Sequence, residues 1–235
     1  MNEPLYHRHR FPSEIISHCV WLYYRFALSY RDINEMMAKR GVLISHESIR
    51  EWALKFGAEF AKRIRHQSAR PGDQWHLDEV YLSIGGKLQY LWRAVDQDGE
   101  VLDILVQPRR NTNAAKRFFR KLLKGLRYVP RVLITDKLGS YAAAKAEIMP
   151  NVVHLRDKGM NNRAENSHQP TRERERRMRG FKSVGHAQRF LATFGVIASF
   201  FRPGRHLLAA ENYREIMRRR FVQWNEIAEL GAEVY

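Results

Sequence analysis

The stretch Trp75–Ile84, which reads WHLDEVYLSI, decides the fold. Upstream of it the apolar residues recur at helical spacing, and from Trp75 onward they alternate with a period of two, which is typical of a strand. A Gly-Gly pair at 85–86 predicts a hairpin turn, so that Lys87–Val95 returns as a second strand. After a further turn, Val101–Val106 predicts a third strand. The sequence therefore predicts three consecutive antiparallel strands.

Helices and short strands alternate in the residues that follow. Asn111 or Thr112 opens a helix with one apolar side, and Val132–Thr135 is a short apolar run, as expected for a strand buried on both faces. Tyr141–Ile148 predicts a helix, Val152–Leu155 a strand, and the residues after 162 and after 185 two further helices. This order is that of a ribonuclease-H-like, integrase-type α/β fold, a mixed sheet flanked by helices.

The residues before the first strand predict an all-α region. Ser13 is a candidate N-cap for a first helix, Ser29 to Asp32 resembles a capping box for a second, and Gly41 ends it. A third helix begins after Ser45 and exposes His46 and Arg50 in its first turn. This is a helix-turn-helix pattern, in which those two side chains would contact DNA. An ordinary helical hairpin is the alternative.

The patterns divide the chain into four predicted segments. Residues 1–66 form a helix-turn-helix DNA-binding domain, 67–72 a linker, 73–205 a ribonuclease-H-like catalytic domain and 206–235 a C-terminal helical tail. The linker is predicted from the basic run that begins at Lys62 and from the Ser68–Gly72 stretch with its Pro-Gly pair.

The charge balance points to a polyanionic partner. The formal net charge is +16 and the sequence pI is about 10.3. Residues 72–104 are the exception, since they carry 7 acidic and 2 basic side chains. Such an island of carboxylates in a basic chain suggests a metal site within a polyanion-binding surface.

Other features of the composition exclude several classes of protein. The single cysteine, Cys19, excludes an internal disulfide and a cysteine-based zinc finger. No apolar run approaches the roughly 18 residues that a membrane span needs, and the polar, His- and Arg-rich N-terminus is unlike a signal peptide. We therefore expect a cytoplasmic, nucleoid-associated protein without a membrane partner.

Three carboxylates could share a metal ion. Asp78 lies in the middle of the first strand, and Asp136 ends the buried strand that neighbours it in this topology. Glu165, at the start of the arginine-rich helix, would be brought to the same corner. Such a set could hold two Mg²⁺ ions against a phosphodiester. Taken singly, each acid has a simpler interpretation: a strand irregularity, a helix cap and an ordinary surface glutamate. Glu79 points to the opposite face of the strand.

The motifs that carry these acids resemble those of a known family. They are residues 76–81 (HLDEVY), 135–137 (TDK), 161–168 (NNRAENSH) and 181–183 (FKS). Together they resemble bacterial insertion-sequence transposases of the Asp-Asp-Glu class, and most nearly the insertion-sequence-six family. The resemblance implies that Asp78, Asp136 and Glu165 are the metal-binding catalytic residues, with Mg²⁺ as cofactor and Mn²⁺ as substitute. The 28 residues between Asp136 and Glu165 are several fewer than is usual in the class, which we interpret as a shortened loop near 149–158.

The resemblance also implies partners and a reaction. Arg172 matches a basic residue for contact with the DNA backbone, and Lys137, Arg163 and His168 are further candidate DNA contacts within the same motifs. The implied activity is binding of the terminal inverted repeats, 3′-end cleavage and strand transfer into target double-stranded DNA, by a homodimer or higher homo-oligomer. A catalytically silent DNA-binding repressor and a hydrolytic nuclease of the same fold are the alternatives.

Overall fold

The structure is a computed structural model that describes residues 5–67, 72–157, 159–204 and 208–230. The chain forms two compact units. Unit 1 comprises residues up to 68 together with those from 196 onward, and unit 2 comprises residues 69–195. The helices are α1 (Ser13–Arg25), α2 (Tyr30–Ala38), α3 (His46–Gln67), α4 (Thr112–Leu126), α5 (Gly139–Ile148), α6 (Asn162–Ser167), α7 (Gln169–Arg177), α8 (Val184–Phe200) and α9 (Ala210–Ile227). The strands are β1 (Gln74–Ile84), β2 (Lys87–Asp96), β3 (Val101–Gln107), β4 (Val132–Thr135) and β5 (Val153–Arg156).

Unit 2 is built on one sheet with the strand order β3-β2-β1-β4-β5. β1 pairs antiparallel with β2, and β2 pairs antiparallel with β3. β4 runs parallel to β1, and β5 runs parallel to β4. Three antiparallel strands extended by two parallel ones confirm the predicted ribonuclease-H-like fold.

The core of unit 2 lies between the sheet and the pair α4 and α5. Trp75 and Trp92 from the central strands are buried against Phe118 of α4 and Tyr141 of α5. Asn111 starts α4, because its side-chain oxygen accepts a hydrogen bond from the Ala114 N–H at 3.0 Å. The strands and helices of this core lie within one or two residues of their predicted positions.

The basic helix expected from residue 162 is divided into α6 and α7. Pro170 stands in the first turn of α7, and it lacks the N–H that a continuous helix would use to bond the carbonyl one turn earlier. The regular helix is therefore interrupted at His168, three residues after Glu165.

Unit 1 contains the expected helix-turn-helix pattern in α2 and α3. The capping box is confirmed: Asp32 N–H donates to the Ser29 hydroxyl at 3.1 Å, and Ser29 N–H donates to the Asp32 carboxylate at 2.8 Å. Gly41 has a φ of 78°, which suits a glycine after a helix end. The prediction that Ser13 caps α1 is wrong, because Ser13 is its first helical residue and Pro12 occupies the cap.

Within the predicted C-terminal helical tail, 206–235, the described residues form α9, which belongs to unit 1. Within unit 1, the Trp224 ring of α9 lies 5.0 Å from the Phe60 ring of α3. Arg63 Nη1 of α3 donates to the Ile227 carbonyl at 2.8 Å, and the Tyr6 hydroxyl donates to the Ala228 carbonyl at 2.7 Å. Trp224 and Ile227, on the apolar side of α9, are thus buried within unit 1. Residues 68–71, most of the predicted linker, lie outside the described residues.

None of the helices in the described ranges is both long enough and apolar enough to cross a membrane.

Candidate active site

Asp78, in the middle of β1, lies beside Asp136, which directly follows the end of β4. The register of the parallel pair β1 and β4 places Leu77 opposite Thr135. The residue that follows each of these two in the sequence is an aspartate. Burial raises the pKa of Asp78 to about 6, and the negative charge of Asp136 adds to this effect. The structure thus brings together two of the three predicted acids.

The two oxygens of Asp136 have different surroundings. Oδ1 accepts a hydrogen bond from the Leu138 N–H at 2.9 Å, which fixes the turn into α5. Oδ2 lies 3.8 Å from Nη2 of Arg110. One oxygen of Asp136 therefore stabilises the turn before α5, and the other lies near the guanidinium of Arg110.

Glu165 is exposed on α6, a helix that packs against β1 and β2. His168, one turn after Glu165, lies with Nε2 3.4 Å from Asp78 Oδ2. Glu165 therefore belongs to a helix that reaches the Asp78 corner of the sheet. Even so, no three His, Cys, Asp or Glu side chains of the described residues are grouped so that they could hold a metal ion. The hard oxygens of Asp78 and Asp136 fit a divalent cation, and Glu165 does not join them in this arrangement.

Two buried side chains hold α6 on the sheet. Before the helix, Asn161 Nδ2 donates to the Leu77 carbonyl of β1 at 2.8 Å. After it, Arg93 of β2 donates through Nη1 to the Ser167 carbonyl and through Nη2 to the Thr171 hydroxyl, the latter at 2.5 Å. A six-residue helix is too short to be stable by itself, so these contacts determine where Glu165 lies.

Arg93 is itself an unusual residue. It is fully buried on β2 directly opposite Asp78, and burial lowers its pKa to about 10, which leaves the guanidinium charged at neutral pH. A buried cation is costly unless its hydrogen bonds are satisfied. The carbonyl end of α6, where the helix dipole is negative, offers such a partner.

His168 is buried against Asp78, which corrects the expectation that it contacts DNA. Burial and the nearby charges of Arg93 and Arg172 hold the pKa of His168 well below its usual range. The imidazole is therefore neutral, and its contact with Asp78 is packing rather than an ion pair. His168 shares its buried side with Ala164 and Thr171, which are four residues before it and three after it.

Glu79 and Arg110 extend the site to the other face of β1, and the sequence pattern does not predict this role for either residue. The Glu79 side chain is only 1% exposed, and its Oε1 accepts a bond from Arg110 Nε at 2.5 Å. Burial raises the pKa of Glu79 to about 7, against the lowering effects of Tyr141 and Arg110. The Tyr141 hydroxyl lies beside this carboxylate but outside good hydrogen-bond geometry. No sequence spacing connects position 110 with 79 or 136.

The remaining predicted DNA contacts lie at the surface. In unit 2, Lys137, Arg163 and Arg172 are exposed, and the charge of Arg172 lowers the pKa of Asp78. In unit 1, the Glu47 carboxylate lies 2.6 Å from Arg50 Nε and 3.5 Å from His46 Nε2. The side chains of His46 and Arg50, the two DNA contacts predicted on α3, are thus exposed, and both lie beside the carboxylate of Glu47.

Known proteins are similar in sequence to the region that contains this site. A family model described as a DDE domain matches residues 72–203. The transposase for insertion sequence element IS257 in transposon Tn4003 of Staphylococcus aureus is 30% identical over 204 residues, which are 85% of this chain and 89% of the relative. The chain belongs to the insertion-sequence-six family of Asp-Asp-Glu transposases.

A second transposase and one solved structure are also similar to this chain. The transposase for insertion sequence-like element IS431mec of S. aureus strain N315 is 29% identical over the same shares of both chains. The catalytic core domain of BIV integrase aligns with 64% of this chain and 99% of its own, at 14% identity and a TM-score of 0.34. The ribonuclease-H-like fold of this transposase is recognised from the order and the directions of its five strands.

Proposed function

We propose that this chain binds the terminal inverted repeats of its own insertion sequence, cleaves the 3′ ends and joins them to target DNA. The observation that carries the proposal is the pair Asp78 and Asp136, which are adjacent where β4 ends beside the middle of β1, within the matched DDE domain. In an open α/β sheet this end is where ligands bind. Two adjacent carboxylates repel one another unless a cation lies between them.

Asp78 and Asp136 would hold a divalent cation, Mg²⁺ or Mn²⁺. When bound, that ion supplies Lewis-acid stabilisation of the phosphodiester and activation of the attacking hydroxyl. Glu165 is proposed as the third carboxylate at the same corner, supplied by α6. Asn161 and Arg93 hold this helix at its two ends and so limit how far Glu165 lies from the aspartates.

The exposed cations around the acids are proposed to bind the DNA backbone. Lys137 follows Asp136 directly, Arg163 stands on α6, and Arg172 is close enough to Asp78 to lower its pKa. These positive charges would hold the phosphates and offset repulsion between the carboxylates and the DNA.

The proposal assigns recognition of the element ends to unit 1. His46 and Arg50, in the first turn of α3, are the side chains that a helix-turn-helix presents to the major groove. End binding belongs to the predicted domain 1–66 and catalysis to 73–205. Two ends must be joined in one reaction, so the active form would be a homodimer or higher homo-oligomer acting at the bacterial nucleoid.

The decisive experiment incubates the full chain with a duplex that carries the element's end, a target duplex and Mg²⁺ or Mn²⁺. We expect both nicked and joined products, and neither product with Asp78→Asn. Nicks without joined strands would identify a hydrolytic nuclease instead. End binding without nicks would identify a DNA-binding repressor.

A further inference from the structure

Arg110 connects the two faces of β1 at the candidate active site. Its Nε donates to Glu79 Oε1 at 2.5 Å, and its Nη2 lies 3.8 Å from Asp136 Oδ2. The residue stands in the short connection between β3 and α4, and 44% of its side chain is exposed. One edge of the guanidinium is thus bound inside the protein, while the rest of it faces solvent beside the catalytic corner.

Glu79 explains why the guanidinium is held in this orientation. Its side chain is almost completely buried, and a buried carboxylate needs a cationic partner. Glu79 accepts its hydrogen bond from Nε of Arg110. The two Nη groups of the planar guanidinium are therefore not used by Glu79. Arg110 is therefore fixed at its inner edge, and its outer N–H groups are pre-oriented toward whatever lies at the end of β4.

We propose that Arg110 binds a phosphate of the DNA backbone next to Asp136, and that Glu79 is the positioning residue that orients it. This inference rests on the proposed function and adds a named phosphate contact to it. A guanidinium matches the geometry of phosphate oxygens and can bind two of them at once, which a lysine cannot do. The competing role is that of an internal counter-ion, in which Arg110 only neutralises Glu79 and Asp136.

The test compares Arg110→Gln with Arg131→Gln. Arg131 is an exposed arginine that also pairs with a carboxylate, Asp73, but it precedes β4, whereas Asp136 follows it. Binding of the full chain to a duplex of unrelated sequence is measured by fluorescence anisotropy over a series of KCl concentrations, with chelator present. Loss of one phosphate contact lowers the slope of log affinity against log salt concentration by about 0.9. We expect that change in Arg110→Gln, and a slope like that of the unchanged chain in Arg131→Gln.

Two further variants separate orientation from charge. Arg110→Lys should keep most of the salt slope and still bind DNA more weakly, since the charge remains and the fork is lost. Glu79→Gln should weaken binding, and the double variant Glu79→Gln/Arg110→Gln should bind no more weakly than Arg110→Gln alone, because Glu79 acts through the arginine. Additive losses would overturn the positioning role of Glu79. Thermal melting of each variant shows that the fold is kept.

An unchanged salt slope in Arg110→Gln would overturn the phosphate contact. If the same variant also binds Mn²⁺ more tightly, as measured by electron paramagnetic resonance without DNA, Arg110 is a counter-ion to the carboxylates. These results are independent of the cleavage assay. A chain that cleaves and joins DNA while Arg110→Gln keeps its slope contradicts this inference alone. A chain that neither cleaves nor joins DNA contradicts the proposed function, whatever the slope.

Discussion

Arg93 and Thr171 are 78 positions apart in the sequence and are joined by a buried hydrogen bond of 2.5 Å. The bond links β2, directly opposite Asp78, to the first turn of α7. The same guanidinium also bonds the Ser167 carbonyl that ends α6. The helix that carries Glu165 is consequently attached to the strand beside Asp78, and the geometry of the proposed site depends on one buried arginine.

Thr171→Val tests this attachment. Valine has the shape of threonine but no hydroxyl, so Nη2 of Arg93 would be left buried without its acceptor. Leaving such a donor unsatisfied costs about 1–3 kcal/mol, and we expect the free energy of unfolding in urea to fall by that amount. Thr171→Ser keeps the hydroxyl and serves as the control. Equal stability of the valine and serine variants would show that the bond contributes nothing.

Removal of each proposed carboxylate should abolish the chemistry and spare the binding of element ends. Asp78→Asn, Asp136→Asn and Glu165→Gln are each expected to lower cleavage and joining by about 100-fold or more, because each removes a ligand that would hold the cation. Glu173→Gln, the same change at an exposed glutamate of α7, should retain activity. Undiminished joining by Glu165→Gln would remove that residue from the site and leave the two aspartates.

Glu47→Gln should strengthen the binding of element ends. The substitution releases Arg50 and His46 from their shared carboxylate and removes a negative charge from the first turn of α3. Exposed ion pairs are weak, so we expect a gain of only a few-fold in affinity. Glu51→Gln makes the same charge change on the same helix. If both variants bind equally well, the gain comes from net charge and not from release of the two side chains.

Cys19 should be unreactive while unit 1 is folded. It is completely buried on α1, and burial raises the pKa of its thiol from 9.0 to about 12. Since the thiolate is the reactive form, labelling by iodoacetamide at pH 8 should be at least about 1000-fold slower in the native chain than in urea. Mass spectrometry over time measures both rates. Rapid labelling under native conditions would mean that α1 does not pack as described.

The sheet and the aspartate pair could be predicted because both depend on local patterns. The change of period at Trp75 located the strands, and fold order alone placed Asp78 beside Asp136. The two aspartates lie on backbone whose register is set by strand pairing. Their adjacency therefore needs no knowledge of side-chain conformation.

The rest of the site depends on long-range side-chain contacts, which no local pattern encodes. Arg110 reaches Glu79 across 31 positions, and Arg93 reaches Thr171 across 78. His168 likewise contacts Asp78 of β1, although the two residues are far apart in the sequence. The packing of α9 on α3 cannot be predicted from local patterns either, because the two helices lie far apart in the sequence.

Residues 69–195 separate the two parts of unit 1, and this order has a consequence during synthesis. A ribosome completes the whole sheet and the helices α4 to α8 before it has made Trp224. Until then Phe60 lacks its contact with the Trp224 ring, and Arg63 lacks the carbonyl of Ile227. Unit 1 therefore cannot be completed before α9 has been made, and a truncated product that stops before α9 would expose an apolar surface of α3 to the chaperones and proteases of the cell.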